Sequence, residues 1–303
     1  MARQLNRRFC LYALGGGRGH VTRAGALGRA LEARGATALL LIPKERVGLA
    51  RQSGVREWVA LEPAPPPDLR ARHEAAAREF DATDWVVDSF PEGIGGELGE
   101  PILARARSVA LLRLRRDVRS SCFAEAVRRY DRSLDLEPHL EWLPEDLGAH
   151  AFAAVTRDLG DVPPERSDVL LVASETAHRA FLTRLAERLC SARVGVTLVC
   201  PPDPSAADRP LGARELGARV VVGPAGFNLT YELVRTGAWH IALPVPRHYD
   251  DQRRRAEQVA LLPSSPEAVE RRVLALLAHA GPRPPPCAVW PMDRLAEHLL
   301  EAG

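Results

Sequence analysis

Short apolar runs alternate with longer amphipathic stretches along most of the chain. The runs in the first half are five to seven residues long and rich in Val, Leu and Ala. Such runs are typical of strands that are buried on both faces of a parallel sheet. The stretches between them place apolar residues at helical spacing. This alternation predicts βαβ units and therefore an α/β fold.

The pattern repeats as two series, which predicts two Rossmann-like halves. Strands of the first series are predicted at residues 9–14, 36–42, 57–61, 84–90 and 108–114, and those of the second at 168–174, 194–200, 218–224 and 240–246. One helix is predicted from the turn after the first strand to residue 34. Further helices are predicted at 44–53, 68–80, 117–132, 175–191, 226–236, 251–261 and 292–301. The sequence DLGDVPPERS (158–167) separates the series. We predict an N-terminal domain at 1–160, a C-terminal domain at 161–281, and a linker with a tail helix at 282–303.

A glycine-rich turn, ALGGGRGH, follows the first predicted strand. A strand, a glycine turn and a helix N-terminus together form a common anion site. A P-loop needs Lys and then Ser or Thr after its last glycine, but Gly19 is followed by His20 and Val21. The dinucleotide fingerprint GxGxxG also fails, because His20 stands at its third glycine position. The turn is therefore predicted to bring the backbone close to a ligand, with His20 at the carboxyl edge of the sheet.

The fourth predicted strand contributes Asp88 to the same edge. In the common strand order 3-2-1-4-5, the first and fourth strands are neighbours, so the chain after Leu14 and the chain after Val87 lie side by side. A carboxylate beside a histidine fixes its tautomer and supports general-base catalysis. Two structural alternatives remain open at this point: His20 could bond its own backbone at the helix start, and Asp88 could cap the turn that follows it.

The second half carries a further constellation, in VVVGPAGFNLTYE (220–232) and in DDQ (250–252). The backbone N–H groups around Gly226 to Leu229 are predicted to face a phosphate. Glu232 is suited to accept the hydroxyls of a ribose, and residues 250–252 are placed to hold sugar hydroxyls. Each has a simpler alternative: Glu232 could be solvated, and Asp250 and Asp251 could cap a helix. The arginines 253–255 could reach a donor phosphate, but a helix surface is the favoured interpretation.

Taken together, these stretches resemble the GT-B glycosyltransferases, close to the MurG-like and predicted bacterial glycosyltransferase branch. The family turn GxGxGHxxR is matched from Gly15 to Arg23. The family sequences SHGGxNTxxE and P…DQ…NA are matched by GPAGFNLTYE and PVPRHYDDQRRRA. The segment VVDSFPEGIGGEL resembles the acceptor side of the family. The resemblance spans most of the chain and is strongest at 13–31, 84–98 and 220–256.

The resemblance implies two Rossmann-like domains facing a central cleft, with the C-terminal helix packing back on the N-terminal domain. It implies that the C-terminal domain binds a nucleotide-sugar donor, with a UDP-sugar as the first candidate. It also implies that the N-terminal domain binds the acceptor hydroxyl. His20 would be the general base and Asp88 its orienting partner. The implied reaction is inverting and needs neither a metal nor another cofactor. The implied donor-binding residues are Gly16, Gly17, Ala225, Gly226, Phe227, Asn228, Glu232, Asp251 and Gln252.

The chain also departs from the family pattern. GPAG replaces the usual Ser-His-Gly-Gly, RRRA stands where Asn-Ala is usual, and the donor half is short. A nucleotide-sugar epimerase or hydrolase using His248 and Asp250 therefore stays open, as does a non-catalytic binding subunit that keeps the fold.

Composition narrows the partners and the location. The net charge of +2 gives no long-range field for nucleic acid, and the five cysteines form no CxxC pair. Seven of the nine histidines show no metal-ligand spacing, namely His73, His139, His150, His178, His240, His279 and His298. No apolar stretch approaches the ~20 residues of a membrane span, so we predict a cytoplasmic protein. The acceptor is expected to be a small molecule, a lipid or a glycan. Peripheral membrane contact would use arginines 113, 115, 116 and 119, which are equally suited to a solvated face.

Overall fold

The structure is a computed structural model that describes residues 7–15, 17–113, 125–140, 149–160, 167–173, 176–200, 210–247, 250–279 and 281–301. The chain divides into two compact units. The first consists of Met1–Arg157 and Trp290–Gly303, and the second consists of Asp158–Val289. Both units are built on parallel sheets with helices in the connections, as predicted for an α/β fold.

The first unit contains a parallel sheet with strand order β3-β2-β1-β4-β5-β6-β7. Its strands are β1 (Arg8–Tyr12), β2 (Thr37–Pro43), β3 (Glu57–Leu61), β4 (Asp84–Asp88), β5 (Ser108–Arg113), β6 (Arg132–Asp135) and β7 (Ala149–Ala151). Strands β1 and β4 are direct neighbours, with Tyr12 opposite Val87. The predicted adjacency of the first and fourth strands is therefore confirmed, and the turns after these strands start from the same edge of the sheet.

Strands β6 and β7 differ from the sequence prediction. They have four and three residues, and β6 reads RSLD, so neither forms an apolar run long enough to be recognised. The predicted helix at 117–132 lies partly outside the described residues, and Arg132 begins β6 instead of ending a helix. The first sheet is consequently two strands wider than the sequence pattern indicates.

Helices α1 to α4 cover this sheet, and apolar side chains from both layers form its core. They are α1 (Arg18–Glu32), α2 (Val47–Ser53), α3 (Pro66–Glu79) and α4 (Glu100–Leu103). The buried core includes Tyr12, Leu41, Trp85, Val87 and Leu111. Tyr12, Leu41, Val87 and Leu111 lie in register on adjacent strands, at the end of the sheet where β1 leads into the turn that carries His20.

The second unit contains a smaller parallel sheet with strand order β10-β9-β11-β12. Its strands are β9 (Val169–Val172), β10 (Val196–Val199), β11 (Val220–Gly223) and β12 (Trp239–Ala242). Its helices are α5 (Thr176–Ser191), α6 (Ala213–Leu216), α7 (Phe227–Thr236), α8 (Gln252–Val259) and α9 (Pro266–Leu277). Valines and leucines of β9 and β11 pack against α5 and α9 to form the core. The sequence reading missed α6 and α9.

The chain returns to the first unit at its end. Strand β13 (Val289–Pro291) pairs with β8 (Ala154–Thr156) and leads into α10 (Met292–Glu301). Buried Arg7 donates from Nη1 to the carbonyls of Leu299 and Leu300, at 2.9 Å each, and its remaining nitrogens bind buried Asp84. On the other side, Arg34 pairs with Asp293 and Glu297 of α10. The prediction that the tail helix packs on the N-terminal domain is confirmed.

Within the described ranges, none of the helices is long and apolar enough to cross a bilayer.

Candidate active site

The turn after β1 explains why glycine occupies position 15. Gly17 is the N-cap of α1, and His20 is the third residue of that helix. The imidazole of His20 folds back over Gly15, so that a Cβ atom at position 15 would lie 2.0 Å from its Cδ2 and 2.3 Å from its Nε2. The backbone therefore comes close to the chain's own histidine. Gly17 is exposed, and Gly16 lies outside the described residues.

His20 and Asp88 meet at the edge of the sheet. His20 Nδ1 lies 3.2 Å from Asp88 Oδ2, and both side chains are largely buried. The distance suits a hydrogen bond, but the N–H direction is off line, so the contact is best described as a close approach of the ring nitrogen to the carboxylate. The ring of Phe90 lies 5.6 Å from the imidazole ring. The imidazole is thus fixed between a carboxylate, an aromatic ring and the Gly15 backbone.

Arg23 joins this pair, and the sequence analysis gave it no role. It lies three residues after His20 on α1, so both side chains lie on the same helix face. Its guanidinium binds both Asp88 oxygens, from Nε at 3.1 Å to Oδ2 and from Nη2 at 2.9 Å to Oδ1 and 2.8 Å to Oδ2. The one available sequence signal was the spacing His-x-x-Arg, which becomes informative only when the position of Asp88 is known.

The environment of Asp88 keeps its carboxylate ionised. Burial by itself raises the pKa of Asp88, but the positive charge of Arg23, the close approach of His20 and the hydrogen bonds from Arg23 outweigh burial and hold that pKa well below its usual value. Ser89 adds a hydrogen bond from Oγ to Asp88 Oδ1 at 2.7 Å. The alternative that Asp88 only caps its own turn therefore does not describe its contacts, which reach across to α1.

Ser89 itself has an unusual backbone. Its φ angle is +72°, in the left-handed region that non-glycine residues rarely occupy, and the residue is fully buried. Its N–H donates to the carbonyl of Leu112 on β5 at 2.8 Å, which holds this conformation in place. Such strained residues concentrate at functional sites. Here the bend after β4 turns Phe90 toward His20.

Hydrogen bonds tie the glycine-rich segment after Phe90 to β1 and to its own Glu97. Tyr12 donates from its hydroxyl to Glu97 Oε1 at 2.5 Å and accepts from the N–H of Ile94 at 2.9 Å. Glu97 Oε2 accepts from the N–H of Gly95 at 2.8 Å. Burial and the neighbouring Glu97 raise the pKa of Tyr12 well above its usual value, so the phenol stays protonated as a donor. The loop thereby holds the Ile94 side chain exposed to solvent.

In the second unit, β11 runs through Pro224 and Ala225 into α7. Gly226 is the N-cap of α7, with φ −65° and no side-chain cap. Among the described residues, no atom lies within 4 Å of a Cβ built at Gly226, so neither backbone strain nor packing requires glycine there. Ala225 and Phe227 are buried, and the Phe227 ring packs on Tyr231 at 4.7 Å. Asn228 is part-buried in the first turn of α7. The positive end of a ten-residue helix therefore lies beside open space.

The residues that are predicted to bind the sugar and the ribose have different environments. Glu232 is only 5% exposed, so the alternative of a solvated helix residue does not hold. Asp251 is the N-cap of α8, since its Oδ1 accepts from Arg254 N at 3.0 Å. Gln252 is buried, and its Oε1 accepts from Val245 N at 3.1 Å. Gln252 thus shapes the loop before α8 with its own side chain.

Arg255 corrects the expectation of a helix surface at 253–255. Arg253 is 80% exposed and pairs with Glu257, but Arg255 is 1% exposed. Its position could have been found from the sequence, because Ala256 and Val259 mark the apolar face of α8 and Arg255 lies next to them on that face.

Metal ligands do not cluster in the described part of the chain, where no group of three or more His, Cys, Asp or Glu could hold an ion. His248 and the arginines 115, 116 and 119 lie outside that part, and Arg113 is described only as the end of β5.

Comparison with known proteins identifies the fold. No protein-family model matches the chain, and no curated protein matches it by sequence. Among solved structures, the Streptomyces sp. SF2575 glycosyltransferase SsfS6 is 15% identical with a TM-score of 0.63, covering 97% of this chain and 99% of that one. The spinosyn rhamnosyltransferase SpnG complexed with thymidine diphosphate is 15% identical with a TM-score of 0.62, covering 97% and 95%. MurG of Acinetobacter baumannii is 13% identical with a TM-score of 0.57, covering 97% and 98%. Over nearly its whole length, the chain has the GT-B fold of these glycosyltransferases.

Proposed function

We propose that this protein is a glycosyltransferase that moves a sugar from a nucleotide-sugar to an acceptor hydroxyl. The observation that carries the proposal is the buried group at the edge of the first sheet, where His20 Nδ1 lies 3.2 Å from a carboxylate that Arg23 keeps ionised. The fold supports the reaction class by analogy, because SpnG has been solved with thymidine diphosphate and with its spinosyn aglycone.

His20 is suited to act as the general base. With Nδ1 facing Asp88, the other ring nitrogen, Nε2, takes the proton of the acceptor hydroxyl. Asp88 stabilises the resulting imidazolium and does not itself take the proton, since Arg23 and Ser89 already bind its oxygens. The acceptor oxygen then forms a bond to the anomeric carbon of the sugar, and the bond between that carbon and the diphosphate breaks.

The second unit supplies the chemistry for the leaving diphosphate. Its electron pair stays on the phosphate, and the positive end of α7 next to Gly226 stabilises that negative charge. We assign Glu232 to the ribose and propose a UDP-sugar as the donor. A helix end provides charge stabilisation without a metal, and displacement by the acceptor oxygen inverts the anomeric centre.

The test is a transfer assay with UDP-, TDP- and GDP-sugars against a panel of hydroxyl acceptors. We expect His20→Ala to lower the turnover rate by about 10²-fold to 10⁴-fold, the usual contribution of a general base, with unchanged donor affinity. The exposed His150 gives the matched control His150→Ala, which should keep the wild-type rate. EDTA should leave the rate unchanged, and NMR of the product should show the inverted anomeric configuration.

Three results would contradict this assignment in different ways. A His20→Ala variant with the wild-type rate excludes the proposed base. Release of free sugar at the same rate with and without acceptor indicates a hydrolase. The absence of any thermal shift with UDP, TDP and GDP indicates a binding subunit without a working donor site.

A further inference from the structure

Arg255 is the largest fully buried side chain in the described part of the molecule, and the mechanism above gives it no task. It lies on α8 beside two arginines that reach the surface or its margin. A buried guanidinium is stable only when it is paired and hydrogen-bonded. Its partners therefore indicate what the burial achieves.

The guanidinium of Arg255 connects the turn before α7 with the segment before α8. Nη1 donates to the carbonyl of Ala225 at 2.9 Å. Nη2 lies 2.7 Å from Asp250 Oδ1, which balances the charge, although the N–H direction of this ion pair is off line. The guanidinium also lies 5.8 Å from the centre of the Phe227 ring, within cation–π range. These three contacts fix the residues on both sides of Gly226.

The contact with Ala225 has a consequence for the next peptide group. In a trans peptide the C=O of one residue and the N–H of the next point in opposite directions, and the described chain contains no cis peptide. Because the Ala225 carbonyl points at Arg255, the N–H of Gly226 points away from it. A peptide flipped the other way would instead present a carbonyl, which repels an anion, next to the positive end of α7.

We infer that Arg255 is a positioning residue for the diphosphate of a nucleoside diphosphate, because it holds the Ala225–Gly226 peptide with its N–H directed for anion binding. The inference rests on the proposed function and adds to it the residue that sets the orientation of the phosphate turn. The long side chain of Arg255 reaches the Ala225 carbonyl and Asp250 together.

The test compares ligands that differ only in the diphosphate. Isothermal titration calorimetry is run with UDP against uridine and with TDP against thymidine, on the wild-type protein and on Arg255→Lys, Arg255→Met and Arg253→Met. Loss of a hydrogen bond to a charged group corresponds to about 10-fold to 100-fold in affinity. We expect that loss for the diphosphate in both Arg255 variants and less than about 3-fold for the nucleoside. Arg253→Met removes the same charge from an exposed position of the same helix and should bind as the wild type does.

The outcomes separate this inference from the proposed function. If the wild-type protein binds neither UDP nor TDP, the donor assignment fails and the inference fails with it. If the wild type binds and Arg255→Lys, folded by circular dichroism, binds the diphosphate equally well, only the inference is overturned. Equal losses for nucleoside and diphosphate in that variant would show a merely structural role and would also overturn it.

Discussion

The contact between Gly15 and His20 allows the catalytic geometry to be disturbed by a single methyl group. In Gly15→Ala the new Cβ would lie 2.0 Å from His20 Cδ2, whereas non-bonded carbons settle at about 3.5–4.0 Å. The backbone at Gly15 has no positive φ, so alanine can adopt it. The ring must therefore retreat by roughly 1.5 Å. That movement takes Nδ1 out of its 3.2 Å approach to Asp88.

We expect this substitution to lower kcat. A displacement of about 1 Å in a catalytic group lowers the rate by about 10²-fold, so we expect Gly15→Ala to lose about 10²-fold to 10³-fold in kcat. The fold should survive, because the ring can rotate toward solvent and Asp88 keeps its contacts with Arg23 and Ser89. We expect the free energy of unfolding to fall by about 1 kcal/mol, which is typical of a single substitution.

The assay is steady-state transfer together with urea unfolding. Gly281→Ala is the matched control, since no atom of the described residues lies within 4 Å of a Cβ built there and its backbone has no positive φ. It should keep the wild-type kcat within about 3-fold, well below the loss expected from a misplaced catalytic group. If Gly15→Ala turns over as fast as Gly281→Ala, the position of the imidazole does not matter and His20 is not the base. A weaker donor affinity in place of a lower kcat would also refute the reasoning.

Three further predictions concern stability and binding. Burial lowers the pKa of His73 and of His240 to about 4. Below pH 6.5 these histidines are therefore protonated in the unfolded chain and still neutral in the folded chain. The free energy of unfolding should therefore be highest above pH 6.5 and fall by about 2 kcal/mol per histidine between pH 7 and 5. In urea titrations, His73→Phe and His240→Leu should each abolish the part of this decrease that their histidine causes. Gly226→Ser should raise stability by a few tenths of a kcal/mol, because serine caps helices better, yet weaken UDP binding in calorimetry, because its hydroxyl occupies the N–H groups of α7. Arg7→Leu leaves Asp84 buried without its main partner and should cost about 3–5 kcal/mol by urea unfolding, whereas Arg7→Lys should cost less.

The part of the site that could be predicted from the sequence is the part fixed by strand order. The apolar runs before His20 and Asp88 mark two buried parallel strands, and the usual order of such strands makes them neighbours. Their proximity follows from topology alone. The tail helix is similar, because its amphipathic pattern predicts a helix that needs a surface to pack on.

The part that could not be predicted depends on contacts between residues distant in sequence. Arg23 looks like any helix arginine until Asp88 is placed 65 positions further along the chain. The helical spacing of Arg255 with Ala256 and Val259 places it on the apolar face of α8, but the spacing does not reveal which groups bind its charge. Its partners, Ala225 and Asp250, become visible only when α7 and α8 are packed together. Periodicity reports which face of an element is apolar, but it does not report which polar groups meet across that face.

The return of α10 to the first unit makes the second unit an insertion within the first. Arg7 donates to the carbonyls of residues 299 and 300, so this contact cannot form until those residues have been synthesised. Synthesis of the first unit starts before that of the second unit and is completed after it. The second unit can therefore form its sheet before the first unit is complete. A chain cut shortly before residue 290 would therefore damage the half of the protein that was synthesised first. For the same reason, an isolated first unit requires residues 290–301 to be joined back to it by a short linker.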